Sequence, residues 1–422
     1  LLAISAAVRP ASSQSLDFER QRARAMLNAV KEDIKKEYYD PNYRGIDLEA
    51  RFKKADADIA TAPSVGQIVT IIAQTLLDFK DSHTFFLPPR RTFRVEYGWE
   101  MQLVGDKAFV VAVKPGTDAA SKGLKEGDEI LSVNNFKPTR DSMWILNYYY
   151  KTLSPQPKLQ LFVRSPGGQP RQLEVASKVE QLKSIEMGYE VFQKIREMEN
   201  DLYQNRHRYV EVGDDVFIWK MPAFDMDEED VDKMMAKVKK RKALILDLRG
   251  NGGGLVLMLQ RLVGHLFDRD VNMGDAKGRK ETKPMLAKTR GADNFKGQLV
   301  VLIDSRSGSA AELLSRVVQL EKRGTVLGDR SAGAVMMSRI HGHKHGQEIV
   351  LYYGASVTEF DWIMSDGKSL EGVGVIPDKV MLPSAADIAA RRDPVMAYAA
   401  SLVGLNLDAE KAGALFPVEW KK

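Results

Sequence analysis

Val300-Val301-Leu302-Ile303-Asp304-Ser305-Arg306-Ser307-Gly308-Ser309-Ala310-Ala311-Glu312-Leu313-Leu314-Ser315-Arg316 is the stretch on which the reading of this chain turns. It opens in a short apolar, β-branched run, Leu299 to Ile303, of the kind that forms a buried strand. Small polar residues turn the chain. A helical pattern follows, with Leu313, Leu314, Val317, Val318 and Leu320 on one face. Ser309 stands where that helix begins, and two readings are open to it. As an N-cap, its hydroxyl would satisfy free backbone N–H groups. As a nucleophile on a strand–turn–helix, it would have backbone N–H groups and the positive end of the helix dipole facing a developing oxyanion.

The 422 residues are 44% hydrophobic, enough for about three domains with real cores. A formal charge of +5 without a basic stripe interleaved with aromatics argues against nucleic acid. The run Lys237 to Lys242 reads as a solvated helix end. With no cysteine, disulfides, thiolate metal sites and a cysteine nucleophile are excluded. Leu1 to Val8 is small and apolar, followed by Arg9-Pro10-Ala11-Ser12-Ser13-Gln14-Ser15. It reads as a signal-peptide remnant or a disordered leader, and the first implies a periplasmic or secreted protein. No other stretch approaches the roughly 18 apolar residues of a membrane span.

From Leu16 to about Pro88 the spacing is helical: Met26, Val30, Ile34 and Tyr38, then helices over Leu48 to Ile59 and Val65 to Leu77. The last runs into Asp81-Ser82-His83-Thr84. His83 reads either as a structural histidine beside a helix end or as a general base held by a neighbouring hydroxyl such as Ser82. Thr92 to about Val179 is β-rich, with strands at Val110 to Val113, Glu129 to Val133 and Leu159 to Val163. Its centre, Lys114 to Ile130, resembles a PDZ domain. Tyr97-Gly98-Trp99-Glu100-Met101 falls where the carboxylate-binding loop of such a domain would be, although Trp99 and Glu100 depart from the usual small, apolar pattern.

Gln181 to Arg208 reads as helix, Val216 to Met221 as strand, Glu228 to Lys240 as helix and Ala243 to Leu248 as strand. Asp247-Leu248-Arg249-Gly250-Asn251-Gly252-Gly253-Gly254 then precedes a helix over about Leu255 to Phe267. This turn lacks the spacing of a nucleotide-binding loop. Its glycines would let the backbone approach a substrate and offer N–H groups to an oxyanion. Met273 to Asn294 reads as a mobile surface loop, and Thr325 to Leu327 as a further strand. Strand–helix alternation implies a mainly parallel sheet flanked by helices. His341, His343 and His345 share one face of an extended segment. That spacing suits a metal or, more commonly, a polar hairpin tip.

Taken together, these motifs resemble the C-terminal (tail-specific) processing peptidases over nearly the whole chain. The matching motifs are Asp247 to Gly254, Ser307-Gly308-Ser309-Ala310-Ala311-Glu312 and Gly372-Val373-Gly374-Val375-Ile376-Pro377-Asp378. The serine–lysine branch of that family places its base in a turn that reads Ala332-Gly333-Ala334-Val335 here, so the lysine position is Ala334. The tricorn-like branch instead resembles this chain at Asp81-Ser82-His83-Thr84 and at the Ala-Gly-Ala turn. The resemblance implies an α/β fold with a ClpP/crotonase-like, mainly parallel core. It implies a leader (1–15), a helical domain (16–90), an inserted PDZ domain (91–180) and the core (181–422). It also implies a serine endopeptidase with Ser309 as nucleophile, His83 as base, Ser82 orienting the imidazole and Glu371 supporting Ser82, with Glu359 in reserve. The oxyanion hole would come from Ala310 and from Gly252 or Gly253. No metal or organic cofactor is implied. The partners would be polypeptides, captured through their C-termini, and a homo-oligomer is compatible with this. A catalytically silent peptide- or lipid-binding protein on the same fold is the alternative.

Overall fold

The computed structural model describes residues 13–181, 206–346 and 350–420. Most of the expected leader (residues 1–12) and most of the expected helix from Gln181 to Arg208 (residues 182–205) lie outside the described residues.

Helices α1 (Ser13–Glu37), α2 (Leu48–Thr61) and α3 (Val65–Leu77) open the chain. Asp47 and Ser64 cap the second and third by accepting from the N–H groups of Ala50 and Gln67. Met26, Val30 and Ile34 from α1, Phe52, Ala55 and Ile59 from α2, and Ile68, Ile72 and Leu76 from α3 share one core. Their three- and four-residue spacing aligns them on inward faces. Beyond α3 the chain turns at Lys80 (φ 52°) and enters β1 (Phe85–Leu87). Buried Asp81 holds this turn. It accepts from the N–H groups of His83 (3.0 Å) and Thr84 (2.7 Å) and from the hydroxyls of Tyr38 (2.7 Å) and Thr358 (2.7 Å).

The β-rich segment is entered by β2 (Phe93–Glu96) and left by β8 (Lys178–Gln181), which pair antiparallel as a stalk. Between them β3 (Trp99–Val104), β4 (Lys107–Val113), β5 (Glu129–Val133), β6 (Lys158–Arg164) and β7 (Pro170–Ala176) form an antiparallel sheet in chain order. Helices α4 (Asp118–Ser121) and α5 (Met143–Asn147) accompany it. Leu103, Val110, Ile130, Leu159, Leu161 and Val175 give the segment a core of its own. The three strands expected from alternation are all present.

The second half holds a six-stranded sheet in the order β18-β15-β14-β11-β10-β9. Its strands are β9 (Arg208–Val212), β10 (Val216–Lys220), β11 (Ala243–Asp247), β14 (Gln298–Ile303), β15 (Thr325–Gly328) and β18 (Lys379–Val380). Only the edge strand β9 runs antiparallel. Helices α6 (Glu228–Val238), α7 (Val256–Leu266) and α8 (Ala310–Leu320) cover one face, packing on Leu244, Leu246, Val301 and Val326. The opposite face, Ile245, Val300, Leu302 and Leu327, is covered by the segment after β18. There lie α9 (Ala385–Ala389), α10 (Pro394–Leu402) and α11 (Ala409–Ala414). Burial on both faces explains why these strands read as unbroken apolar runs.

A second sheet corrects one expectation. Through Ala287 the segment Met273 to Asn294 is not a surface loop: β12 (Val271–Gly278) and β13 (Thr282–Ala287) form a hairpin at the edge of a sheet whose order is β1-β17-β12-β13, β17 being Leu351–Ile363. Val271, Met273 and Ala276 are buried, while Lys277, Lys280 and Lys283 lie on the wet side and give the segment its loop-like composition. The long strands β16 (Met336–His345) and β17 (Leu351–Ile363) complete this sheet.

Candidate active site

Strand β14 ends at Ile303, and after five intervening residues the chain reaches Ser309 at the N-cap of α8. Ser309 adopts φ 51°, ψ −119°. A side chain in that region costs on the order of 1–3 kcal/mol and persists only where its surroundings over-determine it. Here the Ser309 N–H donates to the Ala334 carbonyl (2.9 Å) and to Glu312 Oε2 (3.0 Å), and Gly308 N–H donates to the Asn251 carbonyl (2.8 Å). Ser307 Oγ donates to the Leu248 carbonyl (2.8 Å).

Glu312 was not singled out from the sequence. It is fully buried, and its carboxylate accepts from four donors. These are the Ser331 hydroxyl (2.6 Å) and the N–H groups of Gly333 (2.7 Å), Ala334 (2.9 Å) and Ser309 (3.0 Å). Burial pushes its pKa up to about 7, while the four donors pull the other way. The Ser-x-x-Glu spacing of a capping box was the available signal.

The structure brings Ser82, His83 and Glu371 together across 289 residues of chain. Ser82 Oγ lies 2.7 Å from His83 Nδ1 and donates to Glu371 Oε2 at 2.9 Å. Glu371 also accepts from the N–H groups of Ser82 (2.7 Å) and Val335 (2.8 Å), and burial raises its pKa. A hydroxyl has one proton. With that proton on Glu371, Ser82 Oγ accepts from Nδ1–H, and the tautomer presents Nε2 as the acceptor. The reserve residue Glu359 is elsewhere, 3.3 Å from Arg339 and 3.7 Å from His341. Ala334 and Val335 join the two half-sites: the carbonyl of one takes the Ser309 N–H, and the N–H of the other goes to Glu371.

The glycine loop meets the same serine. A Cβ on Gly253 (φ +102°) would lie 2.5 Å from Ser309 Cβ and 3.0 Å from its Oγ, so only glycine fits there. The loop corrects one assignment, because the Gly253 N–H is committed to Asn251 Oδ1 at 2.8 Å and is not offered to a ligand. Asn251 is itself held through its Nδ2, which donates to the Met221 carbonyl. Exposed Gly252 and buried Ala310, the latter at the first helical position of α8 where N–H groups lack intrahelical acceptors, remain as donors.

Of the stretch Tyr97 to Met101, Gly98 (φ +72°) makes the turn into β3. Tyr97, Trp99 and Met101 are buried in the segment's core, and Glu100 pairs with Lys151 at 2.8 Å. Strand β3 lies against the loop before Ser309. Gln102 Nε2 donates to Asp304 (2.6 Å), Ser305 Oγ donates to the Leu103 carbonyl (2.6 Å), and Asp329 accepts from Gly105 N–H and Arg140. The histidine run forms no metal centre. His343 Nε2 lies 2.6 Å from Asp33 Oδ2, and among the described residues no group of three or more metal-ligating side chains converges.

Residues 216–381 match the model of peptidase family S41. Particular relatives follow. Over 295 residues, 66% of this chain and 40% of the relative, it is 26% identical to the tail-specific protease of Haemophilus influenzae. Over 165 residues, 38% of this chain and 13% of the relative, it is 29% identical to the putative tricorn protease homolog 2 of Streptomyces coelicolor. The chain thus spans less than half the length of either relative. Among solved structures, mature CPAF complexed with lactacystin superposes with a TM-score of 0.65 at 16% identity, covering 88% of this chain and 96% of that one. The photosystem II D1 C-terminal processing protease gives 0.52 at 17% identity, covering 86% and 93%. These likenesses are of fold. No helix among the described residues is long and apolar enough to cross a membrane.

Proposed function

We propose that this chain is a serine endopeptidase acting on unfolded or C-terminally recognised polypeptides, with Ser309 as nucleophile and His83 as general base. The observation that carries the reading is the Ser82–His83–Glu371 relay, joined through Ala334 and Val335 to a strained serine at a strand–helix elbow. In this reading His83 Nε2 takes the Ser309 proton as Oγ attacks the peptide carbonyl. The tetrahedral oxyanion is met by the N–H groups of Ala310 and Gly252. His83 then returns the proton to the departing amine, leaving an acyl-enzyme. A water, deprotonated by the same imidazole, releases the acid and restores Ser309. Glu371 and Ser82 hold the tautomer that makes Nε2 basic. General-base action and an oxyanion donor each supply roughly two to three powers of ten in rate. No cofactor takes part in these steps.

Polypeptide substrates are supported by the names of the relatives: a tail-specific protease and a C-terminal processing protease. The β-rich segment, read as a PDZ domain, would present the chain end. A periplasmic or secreted location follows from reading residues 1–15 as a signal-peptide remnant. The test is mass spectrometry of a disordered protein incubated with this chain beside Ser309→Ala. Fragments that appear only with the unmutated chain support the peptidase. Identical uncut spectra, together with failure of a serine-directed phosphonylating reagent to label Ser309, favour the silent peptide- or lipid-binding protein.

A further inference from the structure

A cavity of about 610 Å³ lies between strand β3, the core sheet and the C-terminal helices. It sits beyond the carboxyl ends of the parallel strands β10, β11, β14 and β15, the end of an open α/β sheet at which ligands characteristically bind. Five cationic side chains line it, and four are committed. Lys220 donates to the Arg249 carbonyl (2.6 Å) and lies 3.2 Å from Asp247. Arg249 is forked between Asp247 (2.9 Å) and Asp393 (2.7 Å). Arg391 pairs with Glu126 and Arg392 with Asp387, each at 2.7 Å. The fifth, Arg306, has no side-chain partner among the described residues, and its Nε is buried without an acceptor. The acids nearest in the fold do not supply one. Asp304 is taken by Gln102, by Gly250 N–H and by the Arg306 backbone N–H, and Asp329 by Arg140, Gly105 and Arg330. Glu410 stands exposed at the rim.

With Nε buried, the two terminal Nη groups of this partly buried arginine are the edge left for a ligand, and a planar guanidinium edge is a fork that grips a carboxylate in two parallel hydrogen bonds. We infer that Arg306 anchors a carboxylate-binding site in this cavity, distinct from the Tyr97 to Met101 turn. The ligand is either the terminal carboxylate of a polypeptide or a small free carboxylic acid. Arg306 is three residues before Ser309, and its loop is gripped by β3 through Asp304 and Ser305. A ligand there would brace the β-rich segment against the elbow.

The test does not require the peptidase reading to hold. Acetyl-pentaalanine with a free C-terminus, its C-terminal amide and succinate are titrated calorimetrically at low salt into Ser309→Ala and into Ser309→Ala/Arg306→Gln. Equal thermal midpoints of the two proteins establish that both are folded. The expected result is that the free acid binds Ser309→Ala about 10- to 100-fold more tightly than the amide. Arg306→Gln should remove that preference, and Arg306→Lys should keep part of it. Displacement of the peptide by succinate assigns the site to small acids as well, whereas failure to displace it assigns the site to chain ends. The inference is overturned if acid and amide bind alike, if neither binds, or if the acid preference survives Arg306→Gln. That last outcome would move the carboxylate to the Tyr97 to Met101 turn. Binding here, together with an uncut disordered protein and an unlabelled Ser309, would sink the peptidase reading and leave this site standing.

Discussion

Removing the Glu312 carboxylate should loosen the elbow from beneath. In Glu312→Ala the buried N–H groups of Gly333 and Ala334 and the Ser331 hydroxyl lose their acceptor, while Ser309 N–H keeps the Ala334 carbonyl. Each buried donor left unpaired costs about 1–3 kcal/mol. The hydroxyl can rotate to a new partner, so the two amides set the scale, and the loss should be about 2–6 kcal/mol. Glu312→Gln keeps one acceptor oxygen but turns an NH2 toward two donors, and should cost about 2 kcal/mol. Tryptophan emission during urea unfolding reads the change, because Trp219 and Trp362 are buried in the core that α8 packs on. The rate of Ser309 phosphonylation reads the elbow itself, and should fall in the order parent, Gln, Ala. A Glu312→Ala protein within about 1 kcal/mol of the parent, labelled at the parent's rate, would refute the reasoning.

Three further outcomes are expected. Gly253→Ala should lower kcat by about a hundredfold or more, because its Cβ meets Ser309 Cβ at 2.5 Å, whereas Gly252→Ala, with nothing within 4 Å of its Cβ, should stay within a few-fold; peptide hydrolysis assays separate them. Ser309→Ala and His83→Ala should each abolish most turnover, and the double variant should be little slower than either, since the two act as one unit; additive losses in kcat would argue against that pairing. The folded-state pKa of Glu312 is raised from 4.5 to about 7, worth on the order of 3 kcal/mol between protonation states. Its contribution to stability is therefore fully present below about pH 4.5 and is lost as the pH rises through about 7. Urea midpoints at pH 5.5 and 8 should fall further in the parent than in Glu312→Gln.

Much of the architecture was legible in the chain itself. The helix Val65–Leu77 and the strands through Val110, Glu129 and Leu159 follow from the 3.6- and 2-residue periods of burial, because each segment has one face to hide. The parallel core strands announced themselves as unbroken apolar runs for the opposite reason, since both of their faces are covered. The strands within Met273 to Asn294 escape a reading from composition because their hairpin buries only part of its residues and carries lysines outside, so it resembles a loop.

The site divides along the same line. Ser309 and the glycine turn could be placed from local sequence, because a strand, a turn and a helix start are short-range events that backbone sterics and capping dictate. The donor capacity of the glycine turn could not. Gly253 and Gly252 are adjacent and identical in type, and only the position of the Asn251 side chain spends the N–H of one and leaves the other. The pairing of Ser82 with Glu371, the burial of Glu312 under four donors and the isolation of Arg306 are likewise contacts between residues remote in the chain. Hydrogen bonds and desolvation depend on where side chains arrive in space. Periodicity and capping act within a few residues, so they determine which elements form, and the packing of those elements alone determines which polar groups meet.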